Sequence, residues 1–328
     1  MNKLSMENIP EKQNRKRDLC GKAFLEVENL SVSFKEYEKG KELQILNVIT
    51  DLSISVMPGE ILAIAGSSGS GKSLLAHGIF GLLPDNAEVH GAIRYKGEEL
   101  NAKRISELRG SRLALIPQSV TYLDPLIKVG KQVMGKDKSG KAADKLNKVF
   151  QRLGLKDEVQ QYFPYQLSGG MARRVLFSTA AVTDADVIVA DEPTPGMHLE
   201  QAMEALGILR ELADEGKAVV LITHDIDLAI KFADRVSVFY AGTTLETAFA
   251  SDFTGNIENL RHPYSKALWR ALPQNEFIPV QGSQPYAGDL PKGCLYAPRC
   301  PYKTEACEES RPVEREIRGG LVRCIYAA

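Results

Sequence analysis

An α/β fold, a mostly parallel sheet with helices on both faces, is predicted by three observations. Short unbroken apolar runs, Ile61–Ala65, Leu113–Ile116, Val187–Ala190 and Val219–Ile222, read as strands buried on both sides. Stretches with helical spacing separate them, as parallel connections require. A glycine-rich loop, Gly66-Ser67-Ser68-Gly69-Ser70-Gly71-Lys72-Ser73, leaves the first run and opens an apolar helix at Leu74–Phe80. That order of strand, loop and helix is the context a phosphate-binding loop needs. A flexible serine/glycine linker would not carry all the fixed positions between such flanks.

The elements follow in order. Residues 1–23 are polar, without the apolar core of a signal peptide, and are expected to form a disordered tail. Leu25, Val27, Leu30, Val32 and Phe34 alternate as a strand, and Asp51–Val56 gives a second. Gly40 and the charges around it suggest a turn between them, and Gly91–Gly97 a further strand. These form an antiparallel layer beside the parallel core. From Pro125 to Tyr165 the chain is lysine-rich, with Leu146, Val149, Phe150 and Leu153 at helical spacing, so a small helical insertion is predicted. Helices are expected at 171–182, at 200–215 with Gly216 as the stop, and at 263–272. Beyond the last, Pro, Gly and Cys dominate.

Composition narrows the class. A hydrophobic fraction of 44% and a charged fraction of 25% are those of an ordinary globular chain. A formal net charge of −1 provides no basic field for a nucleic-acid partner. No apolar run is long enough to span a bilayer. The chain is therefore expected in the cytoplasm. Of five cysteines, Cys20 stands alone, whereas Cys294, Cys300, Cys307 and Cys324 crowd the C-terminal part, which favours a metal or cofactor site over disulfides.

Chemistry-bearing residues sit at predicted strand ends. The loop's N–H groups and the helix dipole would cradle phosphates, Lys72 would reach the β- and γ-phosphates, and the Ser73 hydroxyl would ligate Mg²⁺. Asp191 ends an apolar run where a second Mg²⁺ ligand is needed, and Glu192 beside it is a candidate general base. His224 ends the next run and can hydrogen-bond a γ-phosphate. Gln118 also ends a strand, and its amide can reach metal and water. Leu167-Ser168-Gly169-Gly170-Met171 opens a helix with a serine and two glycines, a second anion site. One nucleotide cannot occupy both, so a dimer is implied in which this loop closes over the nucleotide of a partner.

In order and spacing these stretches resemble the Walker A, Q-loop, signature, Walker B and switch-histidine elements of ATP-binding cassette (ABC) ATPases, over roughly residues 24–250. The resemblance implies a P-loop NTPase core over 24–255, with a helical subdomain at about 119–175 and a small irregular cysteine-rich extension over 256–328. It implies ATP and Mg²⁺ as ligands, and it puts Phe34 where the family stacks an aromatic ring on adenine. Met171 in place of the commoner glutamine, and the stretch His262-Pro263-Tyr264-Ser265-Lys266-Ala267-Leu268, resemble the oligopeptide, dipeptide and nickel importer branch. Its members are peripheral ATPases on the cytoplasmic face of the membrane, bound to two permease subunits and served indirectly by an extracytoplasmic solute-binding protein.

Two further expectations rest on that resemblance. Some members of the branch carry a [4Fe–4S] cluster on cysteines in the order of Cys294, Cys300, Cys307 and Cys324. The gaps here are wider than the close pairs of zinc ribbons, so Zn²⁺ and free thiols are the alternatives to a cluster. The family's D-loop aspartate is replaced by His198, which favours a non-identical second ATPase subunit. The resulting expectation is an ATP-driven importer of di- or oligopeptides. A nickel or metal-chelate importer is the nearer alternative, and a soluble ABC ATPase of iron–sulfur assembly the more distant one.

Overall fold

The computed structural model describes residues 21–36, 44–135 and 141–327. Cys20, the expected turn at Gly40 and most of the expected N-terminal tail lie outside them.

The chain opens with two long antiparallel strands, β1 (Leu25–Glu36) and β2 (Gln44–Val56). Strand β3 (Ile61–Ala65) then runs through the phosphate-loop sequence into helix α1 (Lys72–Ile79). Strands β4 (Ala87–Tyr95) and β5 (Glu98–Glu99) complete a four-stranded antiparallel sheet in the order β2-β1-β4-β5. Helix α2 (Ala102–Leu108), capped by the Asn101 side chain, leads to β6 (Leu113–Ile116). Helices α3 (Val129–Met134) and α4 (Lys141–Arg152) make the insertion and contact α5 (Gly169–Ala181). After β7 (Val187–Asp191) come α6 (Leu199–Asp214), β8 (Ala218–Thr223), α7 (Ile226–Phe232) and the hairpin β9 (Arg235–Tyr240) and β10 (Thr243–Phe249). The C-terminal part holds α8 (Pro263–Ala271), the short α9 (Ala306–Glu309) and the hairpin β11 (Arg315–Ile317) and β12 (Gly320–Val322).

The larger sheet has eight strands in the order β11-β12-β10-β9-β3-β8-β7-β6. From β9 to β6 neighbouring strands are parallel, and the other pairs are antiparallel. The unbroken apolar runs are explained by burial on both faces. Ile61, Ala63 and Ala65 enter a core shared with the helices α3–α7, whereas Leu62 and Ile64 enter one shared with α1, α2 and the antiparallel sheet. Each fully buried aliphatic side chain is worth about 1.5–3 kcal/mol. In the insertion Leu146, Val149, Phe150 and Leu153 all face the first core, at the predicted spacing.

The extension is less irregular than expected. Its final hairpin adds two strands to the main sheet through β10, where Glu246 and Thr247 pair with Val322 and Leu321. Glu246 is fully buried and accepts the N–H groups of Arg261 (2.9 Å) and His262 (2.8 Å), as well as Arg261 Nη1 (3.2 Å). The same guanidinium donates to the carbonyls of Ile317 (2.5 Å) and Arg318 (2.6 Å), which clamps the β11–β12 turn. Breaking one side of such a buried pair would strand a charge.

The motif His262-Pro263-Tyr264 has a structural role within this clamp. The His262 ring nitrogen accepts the Tyr264 N–H at 3.0 Å as the N-cap of α8, and Pro263 takes the first turn, where a missing N–H costs nothing. Tyr264 joins Tyr240 and Tyr296, with ring centroids 4.6–5.5 Å apart. Burial lowers the His262 pKa to about 3 and lifts that of Tyr264 to about 12. Between about pH 3 and 6.5 the unfolded chain therefore holds a proton on His262 that the folded chain does not. Stability rises with pH through that window and is lost as pH falls through it. His262→Asn keeps the cap without the titration, so its denaturation midpoint should fall less steeply on acidification than the parent's. Parallel curves would contradict the assignment.

Candidate functional site

Parallel packing brings four sequence-distant segments to one sheet edge. Strands β3, β8, β7 and β6 are consecutive neighbours, and the phosphate-loop sequence, His224, Asp191-Glu192 and Gln118 each lie at or just beyond their C-terminal ends. Ligands of open α/β sheets bind at that edge.

The loop is organised around its own carbonyls. Lys72 is nearly fully buried, and its ammonium donates to the carbonyls of Gly66 and Ser67, both at 2.8 Å. Ser70 Oγ donates to the Ser67 carbonyl at 2.7 Å. Gly66 is required by close approach, since a Cβ there would meet the Phe239 carbonyl at 2.4 Å. Burial lowers the Lys72 pKa, opposed by the charges of Glu192 and Asp191. A buried ammonium facing a glycine-rich turn at a helix N-terminus attracts polyanions.

Opposite it, Ser73 Oγ donates to Asp191 Oδ1 at 3.1 Å. Burial raises the Asp191 pKa, reinforced by the charge of Glu192 and offset in part by the Ser73 hydrogen bond. A desolvated carboxylate beside a hydroxyl fits Mg²⁺, which takes one or two protein carboxylates and draws its other oxygens from water and phosphate. Among the described residues no group of three or more His, Cys, Asp and Glu side chains could hold a metal ion, and a Mg²⁺ site of this kind does not need one.

Glu192 is buried and its backbone lies in the left-handed region at φ 47°, unusual for a non-glycine residue. Its N–H donates to the Ile222 carbonyl at 2.9 Å, which ties it to β8. Glu192 Oε2 lies 2.8 Å from His224 Nδ1, while the imidazole remains half exposed, at 53%. A carboxylate only accepts, so a proton on Nδ1 makes this contact a hydrogen bond.

The remaining predicted residues are near but not all joined to this group. Gln118 is exposed, and its backbone carbonyl accepts Arg173 Nη1. Ser168 caps α5 by accepting the Met171 N–H at 3.3 Å, with Gly169 and Gly170 in its first turn. Phe34 is partly buried, pairs with Leu46 and Ala87, and packs on the second core. His198 is exposed and opens α6 without a side-chain cap bond.

The cysteines gather without forming a compact ligand set. Cys294 and Cys307 are buried, Cys300 and Cys324 half-buried, and all four are free thiols. The Cys294 N–H donates to the Cys307 carbonyl at 2.8 Å. Burial raises the pKa of Cys294, Cys300 and Cys324, and each also feels the charge of Cys307. The thiols are thus electrostatic neighbours, but no three converge on a point that would hold a single ion.

Arg173 is the residue that sequence reasoning missed. It stands on α5, just past the signature stretch, and donates to the carbonyls of both Gln118 and Glu192, the latter at 3.5 Å. Its guanidinium thereby connects three of the predicted elements. Its only sequence signal is its place on the helix that Ser168 opens.

Fold and edge geometry together define an ATP-binding cassette. Residues 49–195 match the ABC transporter family model, and residues 246–307 match that of the oligopeptide/dipeptide transporter C-terminal region. The chain is 36% identical to the dipeptide transport ATP-binding protein DppD of Escherichia coli, over 93% of this chain and 97% of that one. It is 32% identical to the oligopeptide transport ATP-binding protein OppD of Haemophilus influenzae, over 93% and 98%. The chain belongs to the ABC transporter family of ATPases, in the branch that carries the oligopeptide/dipeptide transporter C-terminal region. The fold is similar to that of the dimeric cassette MJ0796, with a TM-score of 0.60 and 24% identity over 69% of this chain and 98% of the other. Among the described residues no helix is long and apolar enough to cross a membrane.

The buried charge on Asp191 generates a stability prediction. Its raised pKa means that the folded state resists ionisation, so ionisation at neutral pH costs stability that acid restores. Without nucleotide or Mg²⁺, Asp191→Asn should melt at a higher temperature than the parent at pH 7, and the difference should shrink toward pH 4. A lower melting temperature for Asp191→Asn at pH 7 would show the carboxylate to be compensated.

Proposed function

We propose that this chain is the ATP-hydrolysing subunit of a membrane importer for di- or oligopeptides, acting on the cytoplasmic face with two permease subunits and a second ATPase subunit. The observation that carries the reading is the meeting of Lys72, Ser73, Asp191, Glu192 and His224 at one sheet edge of a cassette fold. The peptide substrate rests on the named relatives and on the shared C-terminal region.

In this reading the loop Gly66-Ser67-Ser68-Gly69-Ser70-Gly71-Lys72-Ser73 cradles the β- and γ-phosphates, and Lys72 exchanges its loop carbonyls for phosphate oxygens. Ser73 and Asp191, with the Gln118 amide, would hold Mg²⁺, which would supply neutralisation of charge on the phosphates. Glu192 accepts the proton of the attacking water. His224 steadies the γ-phosphate, for which its Nδ1 contact with Glu192 must loosen or its ring take a second proton. Phe34 stacks on adenine.

The stretch Leu167–Met171 would close over the nucleotide of the partner cassette, exchanging the Ser168 cap bond for a phosphate contact. His198, exposed where the family has an aspartate, supports a non-identical partner. Tyr122, Leu126 and Ile127 are exposed beside Gln118 and offer the permease an apolar landing surface.

A second reading concerns the extension. The four cysteines are assigned to a [4Fe–4S] cluster on their order in the extension, where Cys294, Cys300 and Cys324 each feel the charge of Cys307. Anaerobically purified protein should be brown and contain iron. A colourless, iron-free, zinc-loaded sample would contradict the cluster.

Two substitutions test the ATPase reading. Lys72→Ala should abolish or greatly weaken nucleotide binding. Glu192→Gln should still bind ATP while turnover falls by roughly 10²–10⁴-fold, the usual contribution of a general base. Normal hydrolysis by Glu192→Gln would remove Glu192 from that role. Co-purification from detergent with two multi-spanning proteins would support the importer, and a purely soluble complex would oppose it.

A further inference from the structure

Between α8 and Cys294 the extension runs without regular secondary structure, yet it is tied down at intervals. Gln274 Nε2 donates to Asp227 Oδ1, three residues beyond His224. Arg299 donates to the carbonyls of Gln281 (2.7 Å) and Val280 (3.2 Å). Ser67 Oγ, in the phosphate loop, donates to Gln284 Oε1 at 3.3 Å. The Asn47 N–H on β2 donates to the Ala287 carbonyl at 3.2 Å, and Asn47 pairs with Ser33, the neighbour of Phe34. In chain order these anchors run from the His224 helix, past the phosphate loop, to the strand pair that carries Phe34. In the proposed reading the nucleotide touches two of the same segments, with its phosphates on Lys72 and its base on Phe34.

We propose that residues 280–287 form a wall of the nucleotide site, and that Gln284 is a positioning residue that sets the phosphate loop through Ser67. Ser67 is the loop's internal hub, because its carbonyl accepts both Lys72 Nζ and Ser70 Oγ. A tether on its side chain therefore restrains the residue that orients the lysine. The belt is fixed from the other side as well. Arg299, next to Cys300, lies over the rings of Tyr240 and Tyr296 at 5.7 and 5.9 Å. Gly282 beside it adopts φ +75°, a conformation that side chains rarely adopt, and a Cβ there would meet Arg299 Nε at 3.5 Å. The extension thus contributes to nucleotide affinity at the site of its own cassette.

This inference rests on the reading that Gly66–Ser73 holds the nucleotide, and the test separates the two. Equilibrium binding of MgATP, steady-state kinetics and melting temperature are measured on the full chain and on Gln284→Ala, Ser67→Ala, the double variant and Lys72→Ala. Gln284→Ala should raise Kd and KM roughly 3- to 10-fold, the range one hydrogen bond commands, with kcat and melting temperature held. The double variant should bind no more weakly than Ser67→Ala alone, because both changes remove one interaction. Unchanged affinity in Gln284→Ala, or fully additive losses, would overturn the belt while Lys72→Ala still abolishes binding. Undiminished binding by Lys72→Ala would instead overturn the phosphate-loop reading beneath it.

Discussion

The parallel register of β3, β8, β7 and β6 organises the molecule. It places the ends of four buried strands side by side, so residues more than a hundred positions apart, such as Ser73 and Asp191, come within 3.1 Å. The strands are featureless aliphatic runs because both faces are covered, and so the chemistry collects at their ends. Burial there does more than position the groups. It lowers the pKa of Lys72 and raises that of Asp191, leaving opposite charges that a phosphate and a divalent cation would satisfy together.

Arg173 gives the edge a mechanical link. Helix α5 begins at the Ser168 stretch and contacts the helices of the insertion, and its arginine grips the backbone at Gln118 and Glu192. One side chain thereby ties the helix that packs on the insertion to the backbone of the proposed general base. The extension meets the same edge at Ser67, whose hydroxyl donates to Gln284 Oε1.

What the sequence made legible follows the same physics. Strands β3, β6, β7 and β8, the insertion helix α4 and the residues at the strand ends were readable because each is local: an apolar run, a helical period, a short motif. The hairpin β9–β10 was not, although β10 is almost wholly buried. Its residues Thr243, Thr244, Glu246 and Thr247 look like a loop, and Glu246 is accommodated only by Arg261 and His262, fifteen or sixteen positions later. The hairpin β11–β12 was hidden likewise, since its place in the sheet depends on the Arg261 clamp. Arg173 and Gln284 carry no motif at all. Their roles exist only in contacts across 55 and 217 positions of chain.

This edge is proposed as half of a site, completed by the signature stretch of another cassette. Its most direct test is ATPase activity per chain, measured against protein concentration for the chain together with its co-purified partner cassette. The rate should climb as the cassettes associate and collapse when Ser168→Arg blocks the signature serine. A rate independent of concentration and indifferent to Ser168→Arg would contradict the shared site.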